Sequence, residues 1–315
     1  MTHRLNLFLV ALAIVIGIPY YWLLLENPSA KVAPFPVKLE DLRRLGDSLP
    51  GARPQSVTMT VVAWDRTPGT LLAAGSGVKR RLYSVQSFRL DYADRPPVVI
   101  GTGTTGALAT FRRIETFLDQ HQRLVDADMR TASVIIALDE SPESLGGLAE
   151  FANFGDTAVP LTRAQLNPAQ LPSASRAAGL PWPPKLVLGA AITGNQPRPV
   201  APGVVIIPTG APTSGSEMVY VRLASGREYL FAGAVAPYAI NFIDLRTSSR
   251  LLNLLEQPQD RHRTMRWLVT LQEWLQEDPG LYVVPGNDVM AVIDKDSPSG
   301  FGLRDVAAPQ DNAAP

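Results

Sequence analysis

The sequence contains no cysteine and only three histidines among its 315 residues. The first absence excludes disulfides, thiolate metal sites and cysteine nucleophiles. It leaves the redox compartment open, because cysteine-free chains are tolerated anywhere. The second is more restrictive: of His3, His121 and His262, only the last two lie outside the N-terminal apolar region, too few for a site built from several imidazoles. Charge of either sign is also missing as an excess, with 29 basic and 29 acidic residues. A nucleic-acid partner requires a basic face, so none is expected. With 46% hydrophobic and 18% charged residues, the composition suits one large or two small globular domains.

One long hydrophobic run is present. From Leu5 to Leu25 there is no charged side chain, and roughly 20 apolar residues span a bilayer core. A signal peptide has a shorter apolar region, roughly 7–15 residues, before a small-residue cleavage site. Pro28-Ser29-Ala30 could be such a site, but the length favours an uncleaved transmembrane anchor over 5–25. Tyr20, Tyr21 and Trp22 stand at its outer end like an interfacial aromatic belt. Arg4 keeps residues 1–4 in the cytoplasm, which exports the rest. The lysine-poor, Ala/Arg/Pro-rich composition suggests a bacterial inner membrane, crossed once, with the C-terminal domain in the periplasm.

Residues 26–55 read as a proline-bearing linker followed by a short helix at 38–45. β-branched and aromatic alternation marks strands at 56–64 and 81–92. Pro97 to Ala137 reads strand, helix, strand, with one helix over 108–125 presenting Phe111, Ile114, Phe117 and Leu118 on one face. After a proline-rich middle (167–185), KLVLGAA (185–191), GVVIIPT (203–209), EMVYVRL (217–223) and REYLFAGA (227–234) read as strands. Met265 to Leu275 is an amphipathic helix, and LYVVPGND (281–288) a last strand with a turn. The domain is expected over 56–295, with 296–315 as a disordered tail. Two strand-rich halves, each closed by helices, predict a layered α/β sandwich.

Gly101 to Gly106, GTGTTG, fits the dinucleotide-binding spacing between a strand and a helix. The wider context argues against it. Two β segments precede the strand, the usual acidic residue is missing at the end of the next strand, and the second half is a β-meander. A glycine turn that lets a helix pack closely is the simpler account.

Ala137 to Leu148 reads ALDESPESLGGL: strand end, polar turn, then Gly-Gly-Leu opening a helix. Together with GVVIIPTGAPTSGSEMVYVRLASGREYLFAGAVAP (203–237) and LYVVPGND, it resembles the metallo-β-lactamase superfamily from about Val57 to Asp288. That resemblance implies a four-layer αββα sandwich. Members carry histidines and aspartates in a THxHxDH-like turn, a Pro-Gly-His-Thr-Pro-Gly-Ser turn, a Phe-x-Gly-Asp and a Pro-Gly-His-Asp. These hold two metal ions, usually zinc, whose bridging hydroxide attacks an ester, amide, thioester or phosphodiester.

In this sequence the same places are held by Asp139, Ser141 and Ser144 for the first histidines and by Glu143 for the aspartate. Pro212 (or Ala211, with the gap moved) stands for the next histidine, Ala234 for the strand-end aspartate and Asn287 for the last histidine. The flanking frame persists while the ligands are replaced, so no zinc or other cofactor is expected. Dinuclear sites need neutral imidazoles and a bridging carboxylate to lower a water pKa to near 7.

Replacement sites can be conceived. Asp139, Glu143 and Asp288 could form a carboxylate rim for a hard ion, or simply a solvated edge. Ser141, Ser144, Ser214 and Ser216 lie in motif turns, but no histidine base or G-x-S-x-G elbow accompanies them. A serine–lysine pair would need Lys185 or Lys295. Ser144 and Ser216 suit turn and cap roles. The sequence thus describes a degenerate, catalytically inactive relative with a vestigial pocket for an unidentified small molecule or protein. The competing reading is a hydrolase of esters, lactones or phosphodiesters with a remodelled non-histidine site.

Overall fold

The computed structural model describes residues 2–153, 161–175, 179–183, 186–295 and 298–304. The apolar run forms α1 (Thr2–Tyr20), which continues as a wider helical turn over Tyr21–Leu25. His3–Leu25, 23 residues, is long and apolar enough to cross a membrane. Its side chains stay exposed as far as Trp22.

The segment expected to be a linker is instead a strap. Glu26 accepts hydrogen bonds from Arg250 Nε (2.8 Å) and Arg261 Nη1 (2.6 Å). Asn27 accepts from the Thr247 amide (3.0 Å) and donates to the Leu245 carbonyl (2.8 Å). The Phe35 ring stacks on Trp267 with centroids 4.2 Å apart. Proline stiffness and these anchors leave residues 26–37 no freedom as a spacer. α2 (Leu39–Gly46) follows, burying Leu39 and Leu42.

β1 (Ser56–Pro68) and β2 (Arg80–Asp91) form a long antiparallel hairpin, joined through the helical turn α3 (Gly69–Leu72). β3 (Val98–Ile100) pairs with β2, then α4 (Gly106–Arg112), β4 (Thr116–Phe117) and α5 (Asp119–Thr131) lead to β5 (Val134–Ile136), parallel to β3. The expected βαβ unit exists, but its single helix does not. Arg113 takes a left-handed conformation (φ 57°) that ends α4. Phe117 then pairs with Ala63 of β1 as a strand, and Phe111 is left exposed. α6 (Pro142–Phe151), β6 (Ala164–Gln165) and α7 (Pro172–Ser175) complete this half.

The second sheet contains β7 (Arg198–Ala201), β8 (Val204–Pro208), β9 (Glu217–Arg222) and β10 (Glu228–Phe231). The segment 186–191 is not a strand: Leu186 and Leu188 pack irregularly against the first sheet's helices. β7 takes the edge place instead. α8 (Ala239–Ile243), α9 (Arg250–Leu255) and α10 (Arg261–Glu277) precede β11 (Tyr282–Val284), which is parallel to β10. After α11 (Val289–Val292), β12 (Gly302–Leu303) returns to the first sheet beside β1. This part of the expected disordered tail is therefore ordered, because Phe301 packs against Phe88, Tyr229 and Phe231. Residues 305–315 lie outside the described ones.

Strand alternation builds the layers. Val204 and Ile206 of β8 face Phe88, Leu90 and Ile100 of the other sheet. Val205 and Ile207 face outward, under α2 and the Trp267, Leu271 and Trp274 stripe of α10. On the far side Val99 and Ile135 meet Val125 and Met129 of α5 and Leu145 and Leu148 of α6. The result is the expected αββα order.

Candidate functional site

The C-terminal ends of β3, β5, β8, β10 and β11 all point to one end of the sandwich, where their loops surround a cleft of about 880 Å³. Its walls include Asp139, Ser141, Glu143, Ser144, Pro212, Ala234 and Asn287. Every motif position read from the sequence as a former ligand place therefore lies in one cleft.

Two of these positions, Ser144 and Asn287, carry structural duties. Ser144 Oγ accepts from the amides of Leu138 (3.0 Å) and Asp139 (3.2 Å), closing the β5–α6 turn. Ser216 Oγ accepts from the Thr213 amide (3.2 Å) in the β8–β9 turn. Both serines have the turn roles expected of them. Ser214 is exposed and outside the cleft. Asn287 Nδ2 donates to Ser84 O (3.0 Å), while Ser84 N (2.9 Å) and Oγ (3.0 Å) donate to Asn287 O. Pro212 and Ala234 have no side-chain donor atoms.

Asp288 departs from the expected carboxylate rim. Its oxygens accept from the amides of Ala291 (3.3 Å) and Ala239 (3.2 Å), so it caps α11 and stays out of the cleft. Asp139 and Glu143 do reach the cleft. Asp139 accepts from the Ser141 amide (2.8 Å). Burial, opposed by the hydrogen bonds of Ser141 and reinforced by Glu140 and Glu143, pushes its carboxyl up to about 6. Glu143 is paired with Arg112 Nε (3.1 Å), whose Nη2 donates to Glu256 (3.1 Å).

Three features escaped the sequence reading. Arg112 ends α4 and ties Glu143 to Glu256 across the mouth; a helix drawn straight through 108–125 hid it. Tyr83 lines the floor, and burial together with Glu143, Asp139 and Glu256 raises its hydroxyl well above the usual range. Glu140, next to Asp139, accepts from Thr213 Oγ1 (2.8 Å) and joins two loops. Adjacent charged pairs, DE and RR, were the available signal. The cleft walls hold Asp65, Asp139, Glu140, Glu143 and Glu256 against Arg112 and Arg113, so the cleft is acidic.

The other histidines stay outside. His121 is half-buried and its Nδ1 bonds Val61 O (2.8 Å), where a surface position was expected. His262 is exposed. Lys295 is exposed and away from the cleft, and Lys185 lies outside the described residues.

GTGTTG is a packing seam. Thr102 Oγ1 donates to Ser144 O (2.6 Å), and the amide of Leu148 donates to Thr102 Oγ1 (3.2 Å). A Cβ on Gly147 would lie 1.9 Å from Thr102 O. The glycines thus allow α6 to lie directly on the loop.

Donor chemistry decides the fit to a dinuclear zinc site. Two positions lack donors, Ser144 and Asn287 are committed to backbone groups, and Glu143 is neutralised by Arg112. No group of three or more His, Cys, Asp or Glu side chains among the described residues could hold a metal ion. The residues do not fit the pair of metal ions.

The sandwich, its strand order and the cleft at the strand ends define the metallo-β-lactamase fold. No protein-family model matches the chain, and no curated protein matches it in sequence. Solved structures match it in fold. A quorum-quenching N-acyl homoserine lactone lactonase is similar over 78% of this chain and 96% of its own, with TM-score 0.58 and 13% identity. An N-acyl homoserine lactone hydrolase, bearing its product N-hexanoyl-L-homoserine at the catalytic metal centre, covers 75% and 94% with TM-score 0.56 and 13% identity. A probable metal-dependent hydrolase from Staphylococcus aureus covers 75% and 91% with TM-score 0.53 and 9% identity.

Proposed function

We propose that this is a membrane-anchored, periplasm-facing protein of the metallo-β-lactamase fold that has lost hydrolysis and works by binding. The observation that carries this reading is the contrast between a kept cleft and converted ligand positions. Asn287 and Ser144 hold backbone where histidines would hold metal. The 880 Å³ volume suits a small molecule or an inserted loop. The acidic walls favour a ligand that donates hydrogen bonds or carries positive charge. The partner is a small molecule or protein rather than nucleic acid, and the anchor is the bacterial inner membrane through residues 5–25.

A second reading has its own support. Asp139 at about 6, beside Tyr83 in the same cleft, is the kind of shifted group that catalytic sites collect. It would make the protein a hydrolase with a non-histidine site. Turnover separates the two. The full chain in detergent is given lactone, ester and phosphodiester substrates, with and without added Zn²⁺ or Mn²⁺, beside a D139A/E143A double variant. The binding reading expects both proteins at the enzyme-free rate. Turnover lost in the double variant would establish the remodelled hydrolase.

A further inference from the structure

Three large apolar side chains are the most exposed among the described residues of the domain. Phe111, Leu254 and Leu255 are 79%, 68% and 67% exposed. Phe111 and Leu255 both line the mouth of the cleft. Their neighbours Arg112 and Glu256 are hydrogen-bonded at 3.1 Å, so the two apolar residues belong to one rim. Water-facing Phe and Leu at a cleft mouth call for a covering surface.

The end of α1 is next to that rim. The turn Tyr21–Leu25 packs against α3 and α9. Arg250, the first residue of α9, lies over the Trp22 ring at 5.1 Å and bonds Glu26 at 2.8 Å. Leu254 and Leu255 end the same short helix. At about 1.5 Å per residue they lie no more than ~8 Å along it from Arg250. The headgroup layer on each side of a bilayer is roughly 5–8 Å thick. The strap at Glu26 and Asn27 fixes this geometry, so the rim cannot drift from the anchor.

Charge on the same side agrees. Thr70 donates its hydroxyl to Leu24 O (2.8 Å) and its amide to Gly77 O (2.8 Å). The loop held there continues as Val78, 66% exposed, and then exposed Lys79, Arg80 and Arg81. An apolar tip followed by three bases beside an anchor suits anionic headgroups.

We infer that the cleft mouth rests on the membrane that α1 enters, with Phe111, Leu254 and Leu255 in the headgroup layer and the Val78–Arg81 segment on anionic lipid. The cleft then opens toward lipid and takes an amphiphile sideways from the bilayer, its polar head directed at the acidic floor. This inference rests on the anchor reading.

The test uses the absence of cysteine. Single variants F111C, L255C and S225C of the full chain are labelled with an environment-sensitive fluorophore. They are reconstituted in phosphatidylethanolamine/phosphatidylglycerol liposomes. Ser225 lies in the β9–β10 turn, at the opposite end of the sheet. Flotation reads the anchor, and quenching by headgroup-proximal lipid nitroxides against aqueous iodide reads the rim. The expected result is flotation, with F111C and L255C quenched several-fold more by the lipid nitroxide than S225C and shielded from iodide. Flotation with all three labels equally open to iodide overturns the inference and leaves the anchor standing. Failure to float overturns both. Self-quenching between L255C labels without lipid quenching overturns it in favour of a second copy on this face.

Discussion

Asn287 and Ser84 are joined by three hydrogen bonds, one from the Asn287 side chain and two to its carbonyl. They connect the loop after β11 to the centre of β2, and so one sheet to the other. N287A removes the bond to Ser84 O and keeps the other two. The expected loss is roughly 1–2 kcal/mol, read by denaturant unfolding. N287H is expected to lose stability without gaining metal, because its partners at the other former ligand places are absent.

Ser144 provides the same contrast at the first turn. If it were a nucleophile, S144A would remove activity and leave the fold intact. As the acceptor for the Leu138 and Asp139 amides, its loss should instead lower stability by about 1–2 kcal/mol. Thermal unfolding of S144A measures this directly; an unchanged midpoint would remove the structural role.

Glu217 supplies a pH signature. It is fully buried at the start of β9, accepts from Asn167 Nδ2 at 3.0 Å through Oε1, and its Oε2 has no hydrogen-bond partner among the described residues. Burial, opposed by Asn167 and Arg198, pushes its carboxyl from 4.5 up to about 7. Between those values the folded chain holds more protons than the unfolded chain, so this group's contribution falls as pH rises. E217Q should therefore gain on the wild type by roughly 1–3 kcal/mol between pH 4 and pH 8. Parallel stability curves for the two proteins would contradict this account of Glu217.

Gly147 tests the packing account of GTGTTG. G147A places a methyl 1.9 Å from Thr102 O, a backbone atom that cannot swing aside. Overpacking of this kind costs roughly 3 kcal/mol, visible as a lowered unfolding midpoint. A nucleotide added at saturating concentration should leave the wild-type midpoint unchanged.

The layers were legible because alternation and length are strong signals: β1, β2, β8, β9 and α10 fall where periodicity puts them. The breaks were not. Nothing local marks Arg113 as left-handed, so α4 and α5 read as one helix. Leu186 and Leu188 are apolar but pack against the first sheet's helices outside any strand. The strap read as a linker because prolines suggest a spacer, whereas its ordering comes from Arg250, Arg261 and Trp267, more than 200 residues away in sequence. For the site, the glycine and proline turns around Asp139, Pro212, Ala234 and Asn287 were readable in sequence, and these residues line one cleft. Asp288 was misplaced because a cap and a rim carboxylate look alike in sequence. Arg112 and Glu256 meet only through the fold.

The proposed loss of the dinuclear metal site is read most directly in metal content. The full chain, purified in detergent, is incubated separately with Zn²⁺ and Mn²⁺, desalted and measured by elemental mass spectrometry beside D139A. The account predicts metal at the level of a protein-free blank for both proteins. Zinc or manganese retained in a stoichiometric amount, and lost in D139A, would contradict it.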